Sequence, residues 1–293
     1  MQLLGIDLGG TKIEGVLMSP DGDIRRRERI ATSRDGYAAL LQQIANFIDE
    51  LDPEGNLPVG IGTPGAISPH TGLLRNSNTT CMNGQRLLED LAAICRREIR
   101  IANDANCFAL SEARDGAGAG ATTVFGVILG TGVGGGIVIN GQCLAGAHAV
   151  AGEWGHNPLP WPQPEELPGD ACYCGRMGCI ETWLSGTGLA MQHAQQGISS
   201  IDIFARAQAG DGECEALIKT YEHRLARALA SVINVVDPEV IVLGGGVSNA
   251  GRLYANVPRV WGEFVFSDSV RTRLLKARYG DSSGVRGAAR LWE

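Results

Sequence analysis

No apolar run in this 293-residue sequence is long enough to cross a bilayer, and no basic segment followed by an apolar core opens it. A spanning anchor and a secretory leader are therefore not expected, and the expectation is a soluble, cytoplasmic protein with no membrane partner. Positive charge is scarce as well. Lys and Arg total 25 against 32 Asp and Glu, for a net charge of -7, which argues against nucleic acid as a partner. Cysteine occurs eight times, but only Cys172, Cys174 and Cys179 are close-spaced, so no disulfide framework is expected. There is no Gly-x4-Gly-Lys-Ser/Thr sequence, which speaks against a Walker-type kinase. What is present is 44% hydrophobic residues, ample for a core, and 41 glycines clustered in short turns. The length fits one large domain or two of moderate size.

The most informative stretch runs from Ala151 to Glu181. It reads Glu153-Trp154-Gly155-His156, a Pro-rich loop, then Cys172-Tyr173-Cys174-Gly175-Arg176-Met177-Gly178-Cys179-Ile180-Glu181. One histidine and three cysteines complete a tetrahedral Zn²⁺ shell. A full shell leaves no open coordination position, so the metal is read as structural. Glu153 and Glu181 sit just outside the ligands, and the folded loop is expected to aim both carboxylates at a polar ligand. The alternative is a disulfide plus a free thiol, although clustered cysteines in a cytosolic chain more often serve metal or catalysis.

Three glycine-rich turns follow strand patterns. Leu3 to Leu8 and Ile13 to Met18 flank Gly9-Gly10-Thr11-Lys12, whose successive N–H groups can cradle phosphate oxygens. Asp7 stands at the strand end, placed to hold a hydrated Mg²⁺. The plainer alternative is an ordinary hairpin with an acidic shoulder. Thr122 to Leu129 leads into Gly130-Thr131-Gly132-Val133-Gly134-Gly135-Gly136. This matches Gly-x-Gly-x-x-Gly, but the β-branched segment after it ends at the hairpin signal Asn140-Gly141 and no helix opens there, so a dinucleotide fingerprint is rejected. Two strand–turn–strand devices suggest an internal duplication that clamps a phosphate chain. Val240 to Leu243 precedes Gly244-Gly245-Gly246, where a flat ring can lie on bare backbone, so the adenine side is assigned there.

Between these turns, Ile24 to Ala31 reads as a strand with solvent-facing arginines. Asp35 is read as capping a helix through Leu51, and Arg86 to Glu98 as a helix. Thr63-Pro64-Gly65 reads as a turn, and Asn76-Ser77-Asn78 with Asn83-Gly84 as a polar loop. Strand Ile99 to Ala102 ends at Asn103-Asp104. Asp104 is either a helix N-cap or a catalytic group at a strand end, and this segment alone weighs the two evenly. A flexible break at Gly116 to Gly120 marks the domain boundary. Later helices are read at about 181–194, 200–209 and 213–236, a strand at Arg273 to Ala277, and a C-terminal helix from Ser283 to Trp292.

Taken together, Asp7-Leu8-Gly9-Gly10-Thr11-Lys12, Asn103-Asp104, Gly130-Thr131-Gly132, Glu153-Trp154-Gly155-His156, the Cys172 to Glu181 run and Gly244-Gly245-Gly246 resemble the ROK family of sugar kinases and sugar-responsive repressors. The resemblance spans Gly5 to Trp292. It implies the actin-like ATPase (ribonuclease H-like) fold, with two α/β domains closing over ATP and sugar. These are residues 1–117, with the C-terminal helix 283–293 packed back on them, and 118–282. It implies a homodimer, a structural zinc and Mg²⁺ with ATP. It makes Asp104 the general base. It makes Gly65, Asn78, Asn103, Glu153, His156 and Glu181 sugar ligands. Gly5, Ile6, Asp7, Leu8 and Gly9 to Lys12 come to the ATP side with Gly130 to Ile137 and Gly244 to Gly246. The stretches Asn76 to Gln85, Glu153 to Trp161 and Gly280 to Gly284 resemble bacterial fructokinases that also accept mannose, and Cys81 departs from that pattern. The rival expectations are an N-acetylhexosamine or glucose kinase and a non-catalytic sugar sensor. A repressor would add an N-terminal helix-turn-helix, for which a first strand opening at residue 3 leaves no room.

Overall fold

A computed structural model of the chain describes residues 2–293. The first half opens with β1 (Leu3–Leu8), β2 (Lys12–Met18) and β3 (Ile24–Ala31), an antiparallel meander. Helix α1 (Tyr37–Leu51) buries Leu40, Ile44, Phe47, Ile48 and Leu51, the spacing of one helical face. Then come β4 (Val59–Thr63), the small hairpin of β5 (Ala66–Ile67) and β6 (Leu74–Arg75), α2 (Leu87–Cys95), β7 (Ile99–Asn103) and α3 (Asp104–Arg114). The second half repeats the plan. A meander of β8 (Thr123–Leu129), β9 (Val133–Ile139) and β10 (Gln142–Cys143) is followed by the metal-cluster segment and four helices, α4 (Ile180–Leu184), α5 (Gly186–Met191), α6 (Ser200–Gln208) and α7 (Gly212–Val236). It ends with β11 (Val240–Gly244), α8 (Arg252–Val260), β12 (Arg273–Lys276) and α9 (Ser283–Ala289).

The two sheets have the orders β3-β2-β1-β4-β7 and β10-β9-β8-β11-β12. In each, the first three strands pair antiparallel and the last two are added in parallel. This identity of strand order is the structural counterpart of the duplication read from the paired turns. Helices α9 and α3 lie between the sheets. A Cβ at Gly60 of β4 would collide with the Ala288 carbonyl, and one at Gly287 with the Cys107 carbonyl. On its other side α3 meets β9, where a Cβ at Gly136 would lie 2.6 Å from the Ala105 carbonyl oxygen. Bare glycines thus let the sheet, α9, α3 and the second sheet approach backbone to backbone. The layers place the start of α3 against both halves.

Several local expectations need correction. Asp35 does not cap α1; Gly36 is the N-cap and makes no side-chain bond. The arginines of β3 are not simply solvated, because Arg27 and Arg29 each bond the buried Glu14 carboxylate at 2.5 Å. The helix read at 181–194 is two helices, since Ser185 ends α4 and its hydroxyl caps α5 through the Gly188 N–H at 2.8 Å. The second glycine turn is shorter than read, because Val133 to Ile139 are strand and only Gly130 to Gly132 turn. Asn140 and Gly141 both have positive φ, 52° and 75°, as a tight hairpin turn requires.

Candidate active site

Strand β7 delivers Asn103 and Asp104 to the start of α3. The cap is Asn103, whose side-chain oxygen accepts the Ala105 N–H at 2.9 Å. The Asn103 amide also donates to the Gly65 carbonyl at 3.1 Å, tying the Thr63-Pro64-Gly65 turn to the helix start. Asp104 is the first helical residue, and its carboxylate accepts the same Ala105 N–H, at 2.8 Å. Burial lifts its pKa from the ordinary 3.8 to about 6, with the Glu153 charge adding to the rise while backbone hydrogen bonds oppose it. A carboxylate that keeps free lone pairs and titrates close to neutrality suits proton transfer.

Asp7, at the end of β1, faces the same space. Burial and then the Asp104 charge raise its pKa to about 6, against lowering by Lys12 and Arg29. A carboxylate whose ionisation is opposed by a neighbouring carboxylate makes a place that favours a cation. The turn beyond Asp7 is closed by the Gly9 N–H on the Lys12 carbonyl at 3.0 Å. Gly10, Thr11 and Lys12 are exposed, and the exposed Asn78 lies across from Gly10. Gly5, Ile6 and Leu8 do not reach this space. Ile6 and Leu8 are core residues, and Gly5 is bare because α9 packs on it at Ala289.

The second turn is braced from behind. Val133 N–H donates to Glu181 Oε2 at 2.8 Å, and Gly186 N–H donates to the Gly130 carbonyl at 2.7 Å. Thr131 is exposed at the tip. Gly134, Gly135 and Gly136 serve packing instead. Side chains there would meet Ala105, Trp154 and the start of α3, so these glycines draw Asp104 and Glu153 together from opposite sides of β9. Ile137 belongs to the core. Of the triple glycine, Gly244 is pressed by the Phe108 ring and Gly245, with φ 81°, by Leu129, while only Gly246 faces open space.

His156, Cys172, Cys174 and Cys179 converge. Their ligand atoms lie within 4.8 Å of one another. Cys172 Sγ is 3.6 Å from His156 Nδ1, and Cys174 Sγ is 3.6 Å from Cys179 Sγ. Zn–S bonds of about 2.3 Å in a tetrahedron put ligand atoms about 3.8 Å apart, so the four side chains fit a tetrahedral divalent metal. All eight cysteines are free thiols, which sets the disulfide alternative aside. His156 Nε2 points away from the cluster and meets the Tyr173 hydroxyl at 3.1 Å. The Pro-rich loop is clasped to α7 by Glu166, whose buried carboxylate meets Arg227 and Arg224 at 2.7 Å each. Burial alone would raise that carboxyl, but hydrogen bonds from Arg227 and Arg224 outweigh it and hold the group at about 2.

From the Thr131 turn two adjoining cavities of about 480 and 670 Å³ run outward and share Ser200, Ile201, Gly246 and Val247. The first is bounded by Gly130, Thr131, Gly186 and Thr187, the second by Phe204, Gln208, Asn249, Arg252 and Asn256. The arrangement is a groove leading away from the carboxylates, a shape suited to an extended anionic ligand with a flat end.

A model of the ROK family matches residues 3–293. The chain is 39% identical over 299 residues to an N-acetyl-D-glucosamine kinase of Yersinia pseudotuberculosis serotype O:1b, covering 98% of this chain and 97% of that protein. It is 40% identical over 296 residues to one of Aliivibrio salmonicida, covering 98% of each chain. The chain belongs to the ROK family. Among solved structures it is similar to a ROK hexokinase from Thermus thermophilus, with TM-score 0.86, 29% identity and coverage of 99% and 97%. It is also similar to a ROK glucokinase from Streptomyces griseus in complex with glucose and AMPPNP, with TM-score 0.77, 26% identity and coverage of 99% of both chains. The fold is the actin-like ATPase fold with two α/β domains expected from the sequence.

In this ROK chain, Asn103 is bonded to the Gly65 turn, Asp104 feels the charge of Glu153, and Glu181 is bonded to the strand that leaves the second glycine turn. The sequence reading missed the far wall of the groove. Phe204 and Gln208 lie on α6, and Arg252 and Asn256 on α8, so no local motif marks them. The one usable signal is Ser199-x-x-Asp202, a reciprocal capping pair that announces α6. A helix after the triple glycine is expected from the sequence without bounds; it is α8, which carries Pro258 inside it.

Proposed function

We propose that the chain is a Mg·ATP-dependent hexose kinase that phosphorylates the 6-hydroxyl. The observation that carries this reading is Asp104, an otherwise lightly bonded carboxylate at the junction of both halves with a pKa of about 6. In the proposed reaction the Asp104 carboxylate takes the proton of the primary hydroxyl. The hydroxyl oxygen bonds to the terminal phosphorus, and the bond from that phosphorus to the ADP oxygen breaks. Asn103, Glu153, His156, Glu181, Asn78 and the Gly65 turn hold the remaining hydroxyls. The N–H groups of Gly10, Thr11, Thr131 and Gly132 receive the phosphates, and positioning of this kind carries most of the catalysis in phosphoryl transfer. Magnesium, held through water by Asp7, would supply positive charge to the transferred group. Zinc in the His156, Cys172, Cys174 and Cys179 cluster would fold the loop that carries Glu153 and Glu181. The purine is assigned to the part of the groove beside Gly246, where the two cavities join. Residues 1–117 with the returning helix 283–293 then form the sugar side, and 118–282 the adenosine side.

For the hexose, fructose with mannose also accepted is the first reading. It is supported by the loop stretches Asn76 to Gln85, Glu153 to Trp161 and Gly280 to Gly284. The second reading is N-acetylglucosamine, favoured by the printed names of the relatives at 39–40% identity. Steady-state turnover with fructose, mannose, glucose, N-acetylglucosamine and N-acetylmannosamine separates them. The highest kcat/KM on fructose supports the first reading, the highest on an N-acetylated sugar replaces it with the second, and no turnover on any hexose removes both in favour of a sugar sensor.

A further inference from the structure

The two short helices that follow the metal cluster, α4 and α5, each hold the phosphate turn by one hydrogen bond. Glu181 lies in the first turn of α4, two residues after Cys179, and its Oε2 accepts the Val133 N–H at 2.8 Å. A Cβ on Gly132 would sit 2.5 Å from that same oxygen. The Gly186 N–H, at the start of α5, donates to the Gly130 carbonyl at 2.7 Å. No other hydrogen bond is recorded for the Glu181 carboxylate among the described residues, which leaves Oε1 available.

We infer that Glu181 is a positioning residue that couples the two substrates: Oε2 holds the Gly130–Gly132 turn in its phosphate-accepting shape, and Oε1 takes a sugar hydroxyl. This rests on the reading of Glu181 as a hexose ligand and adds a second task to it. A hexose that fixes the carboxylate also fixes the turn, so sugar raises nucleotide affinity. By linkage, nucleotide raises sugar affinity by the same factor. The cluster residue Cys179 is the N-cap of α4, so the folded cluster sets the position of Glu181 and through it the turn. Gly132 is bare for the same reason. Its φ lies outside the left-handed region, so backbone conformation does not demand glycine. What demands glycine is the space occupied by the Glu181 carboxylate.

This gives a test in which a change in the phosphate turn is read at the sugar. Gly132→Ala meets only the flexible end of a side chain and is expected to fold, while pushing Glu181 aside. Calorimetric titration with D-fructose and with N-acetyl-D-glucosamine, in the absence of nucleotide, is expected to show the hexose Kd of Gly132→Ala raised roughly tenfold, the scale of one lost hydrogen bond to a charged group. In a Glu181→Ala background the same substitution is expected to add nothing, the non-additivity of two groups acting through one contact. An unchanged hexose Kd in Gly132→Ala, or effects that add in the double variant, would overturn the coupling. A second measurement does not depend on Gly132. Glu181→Ala, titrated with Mg·AMPPNP in the absence of hexose, is expected to bind it several-fold more weakly than wild type, and equal binding overturns the proposal. Wild-type titration separates the two failures. No hexose binding by wild type removes the kinase reading and the coupling together, whereas normal wild-type binding with an indifferent Gly132→Ala removes the coupling alone.

Discussion

The two halves share a strand order but carry different chemistry at their strand ends. Strand β1 puts Asp7 two residues before Gly9, and β8 puts Ile128 two residues before Gly130. Strand β7 runs into Asn103-Asp104, whereas β12 ends at Lys276 and runs into Ala277. Strand β4 ends in Thr63-Pro64-Gly65, and β11 in the triple glycine. The first half therefore carries two buried carboxylates of raised pKa, and the second offers bare backbone and a groove. Duplication supplied one frame twice, and the residues at the strand ends decide which copy does chemistry and which one holds.

The largest expected effect falls on the acidic half. Asp104→Asn keeps the shape but removes the proton acceptor, so kcat should fall about a hundredfold to ten-thousandfold. Hexose affinity, measured by calorimetry, should survive. Loss of hexose binding in that variant would make Asp104 a ligand or a structural group instead. In the holding half, Cys174→Ser should lower bound zinc, measured by mass spectrometry of the purified protein, and raise the hexose KM several-fold by loosening the loop. Normal zinc content with normal kinetics would contradict the assignment of the cluster.

The pH dependence sharpens the comparison next. For wild type, kcat/KM should rise with pH through about 6 and then level off, because the base must be ionised. Stability runs the other way. A carboxylate whose pKa goes from 3.8 to about 6 on folding binds its proton more tightly in the folded chain. Its contribution is fully present below 3.8 and is lost as pH rises through 6. Asp104→Asn should therefore melt higher than wild type above pH 6, with the advantage gone below 3.8. A flat difference in melting temperature across that window would mean that Asp104 is not held in a charge-disfavouring site. The smallest effect belongs to the middle of the groove, where the two cavities share Gly246. Gly246→Val fills open space and should raise the KM for ATP several-fold while leaving hexose affinity without nucleotide unchanged. A change in hexose affinity would contradict the separation of the two ends.

Legibility in the sequence followed the range of the interactions. The first meander, α1 and α7 were readable because hydrophobic periodicity and turn residues are local. The cluster of His156 with three cysteines was readable because metal coordination restricts residue type and spacing. The glycines misled, since one residue type serves two purposes. Gly9 and Gly130 turn the chain, but Gly5, Gly136 and Gly244 are bare because another element presses on them, and the pressing element lies far away in sequence. The same limit hid the Glu14 pairs with Arg27 and Arg29, the Glu181 bond to Val133, and the groove wall formed by α6 and α8. Asp104 was readable as a candidate only. That Asn103 is the cap, with Asp104 sharing its bond from the Ala105 N–H as the first helical residue, emerges from the side-chain geometry.

The most direct measurement is ADP release from Mg·ATP with and without each hexose, with the product identified by phosphorus and proton NMR. The account predicts release that depends on a hexose and a product carrying phosphate on the 6-hydroxyl. Release that ignores every hexose, or phosphate found on another hydroxyl, would contradict it.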